Sequence, residues 1–187
     1  MMDVMGPSDA KDAVVADEWV VLLDQEHRPI GSQLKSEVHH ADTPLHLAFS
    51  VHLVDEADNT LLTRRAVTKK TWPGVWSNAC CGHPAPEEDL LGAVERRLAS
   101  ELGLVATSVS CALPDFAYRA RDAGGVVENE ACPVFVAQVA GHRPPPAPDV
   151  DEVAEWVWLA RSEAISLARE HPWLLSPWSV LQFAQLE

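Results

Sequence analysis

Residues 46–54, HLAFSVHLV, alternate along their whole length. Leu47, Phe49, Val51 and Leu53 take one face, and His46, Ser50 and His52 the other. Period two belongs to a strand, whose successive side chains leave on opposite sides. DEADN (55–59) then reads as a hairpin turn and TLLTRRA (60–66) as the return strand. EWVVLLD (18–24) is a short apolar strand followed by a turn, HRPIG (27–31). Further strands are expected at about 109–119, at 126–140 and at AEWVWLA (154–160). Helical spacing governs 87–102, where Leu90, Leu91, Val94, Leu98 and Leu102 recur and Gly103 stands at the stop position. Residues 161–170 and 177–186 are the other expected helices, and RPPPAP (143–148) is too stiff and donor-poor for either element. Strands dominate and helices are inserted among them. The expected class is therefore α+β, a mixed α/β sandwich rather than a βαβ-repeating parallel fold.

Length and composition narrow the function classes. A chain of 187 residues is enough for one well-cored domain, and residues 18–187 are expected to form it. Residues 1–17 are small and acidic, without the basic start and apolar centre of a secretory signal, so a flexible acidic arm and a cytoplasmic location are expected. No apolar run is long enough to cross a bilayer. The net charge of −14 argues against nucleic-acid or acidic-membrane partners, which need positive surface. A small anionic ligand feels local charge instead, and Arg64, Arg65, Lys69 and Lys70 crowd into one short stretch. Cys80, Cys81, Cys111 and Cys132 form no CxxC pair, which suits neither a zinc ribbon nor a disulfide framework.

The segment from Gly82 to Leu104, GHPAPEEDLLGAVERRLASELGL, resembles the Nudix box: a glycine, five residues, a glutamate, seven residues, then Arg-Glu-apolar-x-Glu-Glu-x-Gly-apolar. That family holds metal ions on a diphosphate with helix carboxylates one turn apart. Gly82, Glu88, Arg96, Glu101 and Gly103 are kept, but Arg97 and Ser100 stand where the box has glutamates. Hydrolysis leans on those carboxylates, so the departures point away from a diphosphate hydrolase and towards a relative that binds diphosphate without cleaving it. Arg97 lies at i,i+4 to Glu101 and could grip a phosphate oxygen.

The departures match one branch. HHADTPLHLAFS (39–50), TRRAVTKKTWPGVWSN (63–78), CCGHP (80–84), FAYRA (116–120), VVENEACPVF (126–135) and SPW (176–178) together resemble the type I isopentenyl-diphosphate delta-isomerases. The resemblance covers roughly residues 18–183 and implies a Nudix-type mixed-sheet α/β/α sandwich. Read from chemistry, Glu128 and Glu130 share one strand face by period two. With His39, His46 and His83 they are a mixed N/O donor set suited to a divalent metal, and the family pattern selects His39 over His40. By resemblance these five hold one ion (Mn²⁺, Zn²⁺ or Mg²⁺), and a second, Mg²⁺, bridges the substrate and Glu101.

The implied reaction moves a proton across an allylic system, turning isopentenyl diphosphate reversibly into dimethylallyl diphosphate. A weakly basic alkene needs an acid, a base, an aromatic face for the tertiary carbocation, and a dry pocket. By resemblance, Glu130 donates, helped by Tyr118, Cys81 accepts as thiolate, and Trp178 faces the cation. The thiolate is expected to draw support from the following Gly-His and the helix after it. Lys35, Arg65, Lys69 and Arg97 are the expected diphosphate contacts, with only two of the four clustered cations turned inward. His52 is expected to be structural or at the surface, Cys80 to have no role, and Trp72 and Trp76 to wall the pocket or merely pack. The expected partner is the small-molecule substrate alone, and the chain is expected to be a monomer, with a homodimer as the alternative.

Overall fold

The computed structural model describes residues 18–186, so the acidic arm expected at 1–17 lies outside the described residues. In chain order the elements are β1 (Trp19–Leu23), β2 (Pro29–Leu34), a single helical turn α1 (Lys35–Val38), β3 (His46–Leu47), β4 (Phe49–Val54), β5 (Asn59–Arg65), β6 (Trp76–Ser77) and β7 (Cys80–Gly82). They continue as α2 (Leu90–Leu102), β8 (Ser108–Leu113), β9 (Ala117–Arg121), β10 (Val127–Ala131), β11 (Val134–Gln138), β12 (Val153–Ala160), α3 (Arg161–Glu170) and α4 (Pro177–Phe183). One sheet runs β2-β1-β3-β10-β9. The other runs β12-β5-β4-β11-β8, with β6 on β5 and β7 on β4. The fold is α+β with mixed sheets, since β10 runs parallel to β3 and β11 parallel to β4 while the other pairs are antiparallel.

Three strands that the sequence pattern draws as continuous are each cut in two. Residues 46–54 divide at Ala48, 109–119 at Pro114–Phe116, and 126–140 at Cys132–Pro133. In every case one piece lies in the first sheet and the other in the second. The backbone shows the handover: Ala48 N–H donates to Ala131 O at 2.9 Å, still in the first ladder, and Ser50 N–H to Pro133 O at 3.1 Å. Pro133 has no N–H to donate, so the ladder has to lapse there. Apolar alternation cannot report such a break, because it distinguishes the two faces of a strand and not the sheet that the strand joins.

The hairpin 55–59 is where it was expected, but β4 and β5 pair directly only at Val54↔Thr60. Beyond that they splay, and β6 and β7, which the sequence did not announce, fill the wedge. β2 was also missed. HRPIG is not all turn, because Pro29 onward pairs with β1. The helix expected from 87 begins at Leu90: Glu87 has φ 70°, and the Asp89 side chain caps by accepting from Gly92 N–H. Gly103 ends it in the left-handed region at φ 63°.

The core forms on both faces of the second sheet. On one, Ala93, Val94, Leu98 and Leu102 of α2 pack on Phe49, Val51, Leu53 and Leu61. On the other, Ala164 and Ala168 of α3 and Phe183 of α4 pack on Leu62. All six residues of β4 are therefore buried, including Ser50 and His52 on its polar face. A third cluster, with Ala48, Phe116, Cys132 and Trp178, sits at the strand breaks.

Candidate active site

Sheet register assembles one wall of the site. Glu130 stands opposite His46 on β3 and Tyr118 on β9, so three functional side chains meet on one face without any loop having to place them. His83 follows β7, and His39 follows α1. One ligand atom each from His39, His46, His83 and Glu130 lies within 4.8 Å of all the others. Glu128 Oε2 joins them, 3.1 Å from His39 Nε2.

The donor set fits a divalent cation. His46 Nδ1–H donates to Pro44 O at 2.9 Å, which turns the Nε2 lone pair into the cluster. That Nε2 and Glu128 Oε2 are buried without hydrogen-bond partners. Buried polar atoms are seldom left so. Burial alone would raise the Glu130 carboxyl, but the neighbouring His46 and His83 rings, His83 Nε2 hydrogen-bonding Oε1 at 3.3 Å, hold it well below the usual carboxylate range. Burial pushes His83 down to about 3, against the pull of Glu130, and so keeps its ring neutral as a ligand must be. His46 moves the other way: its burial is outweighed by Glu130.

Beside the cluster lies a cavity of about 510 Å³ with two unlike ends. The apolar end holds Cys81, Tyr118 and Trp178. Register puts Cys81 opposite Ser50 and Cys80 opposite Val51, so the adjacent thiols face opposite ways, Cys80 into the α2 core. Tyr118 O–H donates to Glu130 Oε2 at 2.9 Å. Trp178 stacks at a tilt on Tyr118, 5.4 Å between centroids, and its Nε1–H donates to Ser77 Oγ and Asn78 Oδ1 at 3.0 and 3.1 Å. The Arg65 guanidinium lies 5.6 Å from the Trp178 ring centroid, so that ring already accommodates a cation.

The other end is charged. Arg97, although only 6% exposed, bonds Glu18 Oε2 at 3.0 Å and Glu101 Oε1 at 3.1 Å. Gly82 makes room for it, since a Cβ there would meet Arg97 Cγ at 3.0 Å. Lys35 Nζ shares Glu18, and Lys69 pairs with Glu152. Burial and Glu152 push the Glu101 carboxyl up to about 7 despite Arg97, Lys69 and Lys35. Glu88 closes on Arg96 through two bonds of 2.7 Å, holding the loop before α2 to the helix.

The NUDIX domain model matches residues 44–179. A protein of Frankia alni named isopentenyl-diphosphate Delta-isomerase is 54% identical over 178 residues, 95% of this chain and 90% of that one. One of the same name from Mycolicibacterium vanbaalenii is 54% identical over 170 residues, 91% and 92% of the two chains. The chain belongs to the NUDIX family, with the isopentenyl-diphosphate Delta-isomerases. Among solved structures, a protein from Deinococcus radiodurans superposes with TM-score 0.61 at 13% identity over 82% of this chain and 90% of that one. A Nudix hydrolase from M. smegmatis gives 0.56 at 19% over 91% and 92%. At these identities the two structures speak for the NUDIX fold alone.

Against that family pattern, the expected residues fall into place unevenly. His39, His46, His83, Glu128 and Glu130 converge, as do Cys81, Tyr118 and Trp178. Lys35, Arg65, Lys69 and Glu101 line the cavity. Arg97 does not line it; its guanidinium is engaged by two carboxylates. Of the clustered cations only Arg64 turns away, bonding Gly74 O and Glu155, while Lys70 sits at the rim on Ser36 O. Three rather than two therefore border the cavity. The thiolate expectation needs correction for the metal-free protein: burial pushes the Cys81 thiol up to about 11, against hydrogen bonds from Ser50 and Asn78. The NUDIX helix starts too late to help, at Leu90. Sequence reasoning also missed Glu18, Ser50, Asn78 and Glu152. The one available signal was a polar residue embedded in an apolar or motif-rich run, as Ser50 and Asn78 are. No helix among the described residues is long and apolar enough to cross a membrane.

Proposed function

We propose that the chain interconverts isopentenyl diphosphate and dimethylallyl diphosphate, with the hydrocarbon at the apolar end of the cavity and the diphosphate at the charged end. The carrying observation is that a single cavity joins Cys81, Tyr118, Glu130 and Trp178 to Lys35, Arg65, Lys69 and Glu101. His39, His46, His83, Glu128 and Glu130 would hold one divalent cation, Mn²⁺, Zn²⁺ or Mg²⁺. Glu101 would take part in holding Mg²⁺ with the diphosphate, oxygen donors being what that ion prefers. When bound, such cations supply positive charge that fixes the carboxylates and offsets the phosphate charge.

The chain's own residues handle the protons. In the forward direction the terminal alkene carbon takes a proton, leaving a tertiary carbocation, and the neighbouring chain carbon gives one up to restore the double bond. Glu130, steadied by Tyr118, is the donor and Cys81 the acceptor; Trp178 faces the cation, and its π-face favours it by about 1–2 kcal/mol. A forward turnover thus ends with a thiol at Cys81 and a carboxylate at Glu130, which is the charge state burial and the histidines favour at rest. A proton must then pass from thiol to carboxylate by way of solvent before the next turnover. In deuterated water with isopentenyl diphosphate, deuterium should therefore enter dimethylallyl diphosphate, and only in metal-loaded protein. Release of phosphate or pyrophosphate in place of that exchange would overturn the reading in favour of a hydrolase.

A further inference from the structure

Behind Cys81 lies a buried polar chain that the proton ledger does not use. Ser50 Oγ is 3.3 Å from Cys81 Sγ and 3.4 Å from Cys132 Sγ. Gln182 Nε2–H donates to Ser50 Oγ at 2.9 Å, and Gln182 Oε1 pairs with His52 Nε2 at 2.9 Å. Ser50 and Gln182 are fully buried and His52 is 3% exposed. The chain exists because α4 packs over the face of β4 that carries Ser50 and His52, and Gln182 falls one turn after Trp178 on that helix.

Donor counting gives the chain a direction. His52 Nδ1 is buried with no partner. Burial pulls its imidazole down to about 4, so the ring is neutral and carries one N–H. A proton on Nδ1 would be a buried donor without an acceptor, whereas a bare lone pair there is more easily tolerated. The proton therefore sits on Nε2 and is donated to Gln182 Oε1. That fixes the amide: its NH₂ faces Ser50 and fills an acceptor site of the hydroxyl. The single Ser50 proton is left for the two sulfurs, Cys81 Sγ at 3.3 Å and Cys132 Sγ at 3.4 Å, of which only Cys81 borders the cavity.

Asn78, the other polar neighbour of Cys81, is more heavily committed. Its Nδ2 donates to the carbonyls of Val51 and Cys80 at 3.0 and 2.9 Å and reaches Cys81 Sγ only at 3.4 Å. Its Oδ1 accepts from Trp178 and Ser179. Ser50, at 3.3 Å, is thus the neighbour of Cys81 Sγ whose proton is not already shared with two carbonyls.

We propose that Ser50 is a further catalytic residue, its hydroxyl keeping its proton and donating a hydrogen bond to Cys81 Sγ in the thiolate state that accepts the substrate proton, and that Gln182 and His52 are positioning residues that set the direction of that bond. This inference rests on the isomerase reading. The full-length, metal-loaded chain should be assayed for isomerisation as wild type, Ser50→Ala, His52→Phe, His52→Gln and the Ser50→Ala/His52→Phe double variant. Ser50→Ala should lower kcat about tenfold with KM unchanged, the worth of one hydrogen bond. His52→Phe should fall by a similar factor, because the amide is freed to flip. His52→Gln, whose Nε2–H can still donate to Gln182, should recover most of the rate. The double variant should be no slower than Ser50→Ala, since His52 acts through Ser50. Equal losses for Phe and Gln, or multiplied losses in the double variant, would overturn the proposal.

Iodoacetamide alkylation of Cys81 in the metal-free chain, with exposed Cys111 as internal reference, reads the same bond without turnover. It should slow in the order wild type, His52→Gln, His52→Phe. That order in a chain that does not isomerise would sink the isomerase reading and keep the relay; isomerisation without that order would sink the relay alone. Should His52→Phe fail to fold, Gln182→Met removes the same amide and must show the same kcat loss.

Discussion

The two ends of the cavity are built in opposite ways. At the apolar end the functional groups hang on paired strands and are locked by buried hydrogen bonds: Tyr118 on Glu130, Trp178 on Asn78 and Ser77, Ser50 between Gln182 and sulfur. At the charged end they are long side chains held by one another, Arg97 on Glu18 and Glu101, Lys35 on Glu18, Lys69 on Glu152. The Glu18 carboxylate is nearly half exposed, at 47%, whereas Glu130 is shut in at 6%. Proton transfer to carbon requires atoms held within a few tenths of an ångström. A diphosphate asks chiefly for positive charge, which flexible side chains supply. The rigid end should therefore govern kcat and the ionic end KM.

The largest effect that comparison predicts is at the thiol. Cys81→Ala should cut turnover by roughly 10³-fold while metal content, measured by elemental analysis, stays at the wild-type level. A variant with near-normal rate would break the comparison at its strongest point. Glu130→Gln comes next. It should lose activity to a similar degree and metal as well, because His46 and His83 lose the carboxylate between them; stripping the wild type with a chelator should reproduce the loss, and re-adding the ion should reverse it.

Lys35→Ala probes the opposite end. Its removal should raise KM about 10- to 100-fold, the worth of a charge-assisted hydrogen bond, with a smaller change in kcat. A loss confined to kcat would show that the ionic end also sets geometry.

The smallest effect is on the pH dependence of stability in metal-free protein. His52, held at about 4 against an ordinary 6.5, binds fewer protons folded than unfolded, so its contribution is lost as pH falls from 6.5 to 4. Glu101, raised to about 7 from 4.5, keeps its proton in the folded state, so its contribution is lost as pH rises from 4.5 to 7. The two slopes oppose each other between about pH 4.5 and 6.5. Denaturation midpoints across that range should rise more steeply with pH in Glu101→Gln and less steeply in His52→Gln.

Much of the site was legible in the sequence because strand spacing is rigid. Glu128 and Glu130 had to share a face, and Cys80 and Cys81 had to part, whatever the tertiary context. The histidine and cysteine motifs named the same groups that the structure gathers. Arg97 was harder to place: helical spacing put it beside Glu101, but whether its other nitrogens met a ligand or Glu18 depended on β1, more than seventy positions earlier. His52 was left open between a structural and a surface place because alternation distinguishes two faces without saying whether the polar one is covered; the structure buries it on Gln182.

Local sequence alone determined the periodicities, the glycine that ends α2, the donor types and the spacing that presents them. These follow from bond geometry and short-range sterics. Only the tertiary structure decided which sheet each half of the three broken strands joins, that a hairpin splays to admit β6 and β7, and that α4 covers Ser50 and His52. Those outcomes depend on which distant surfaces exclude water from one another, and the same side chains would satisfy either face of an isolated strand.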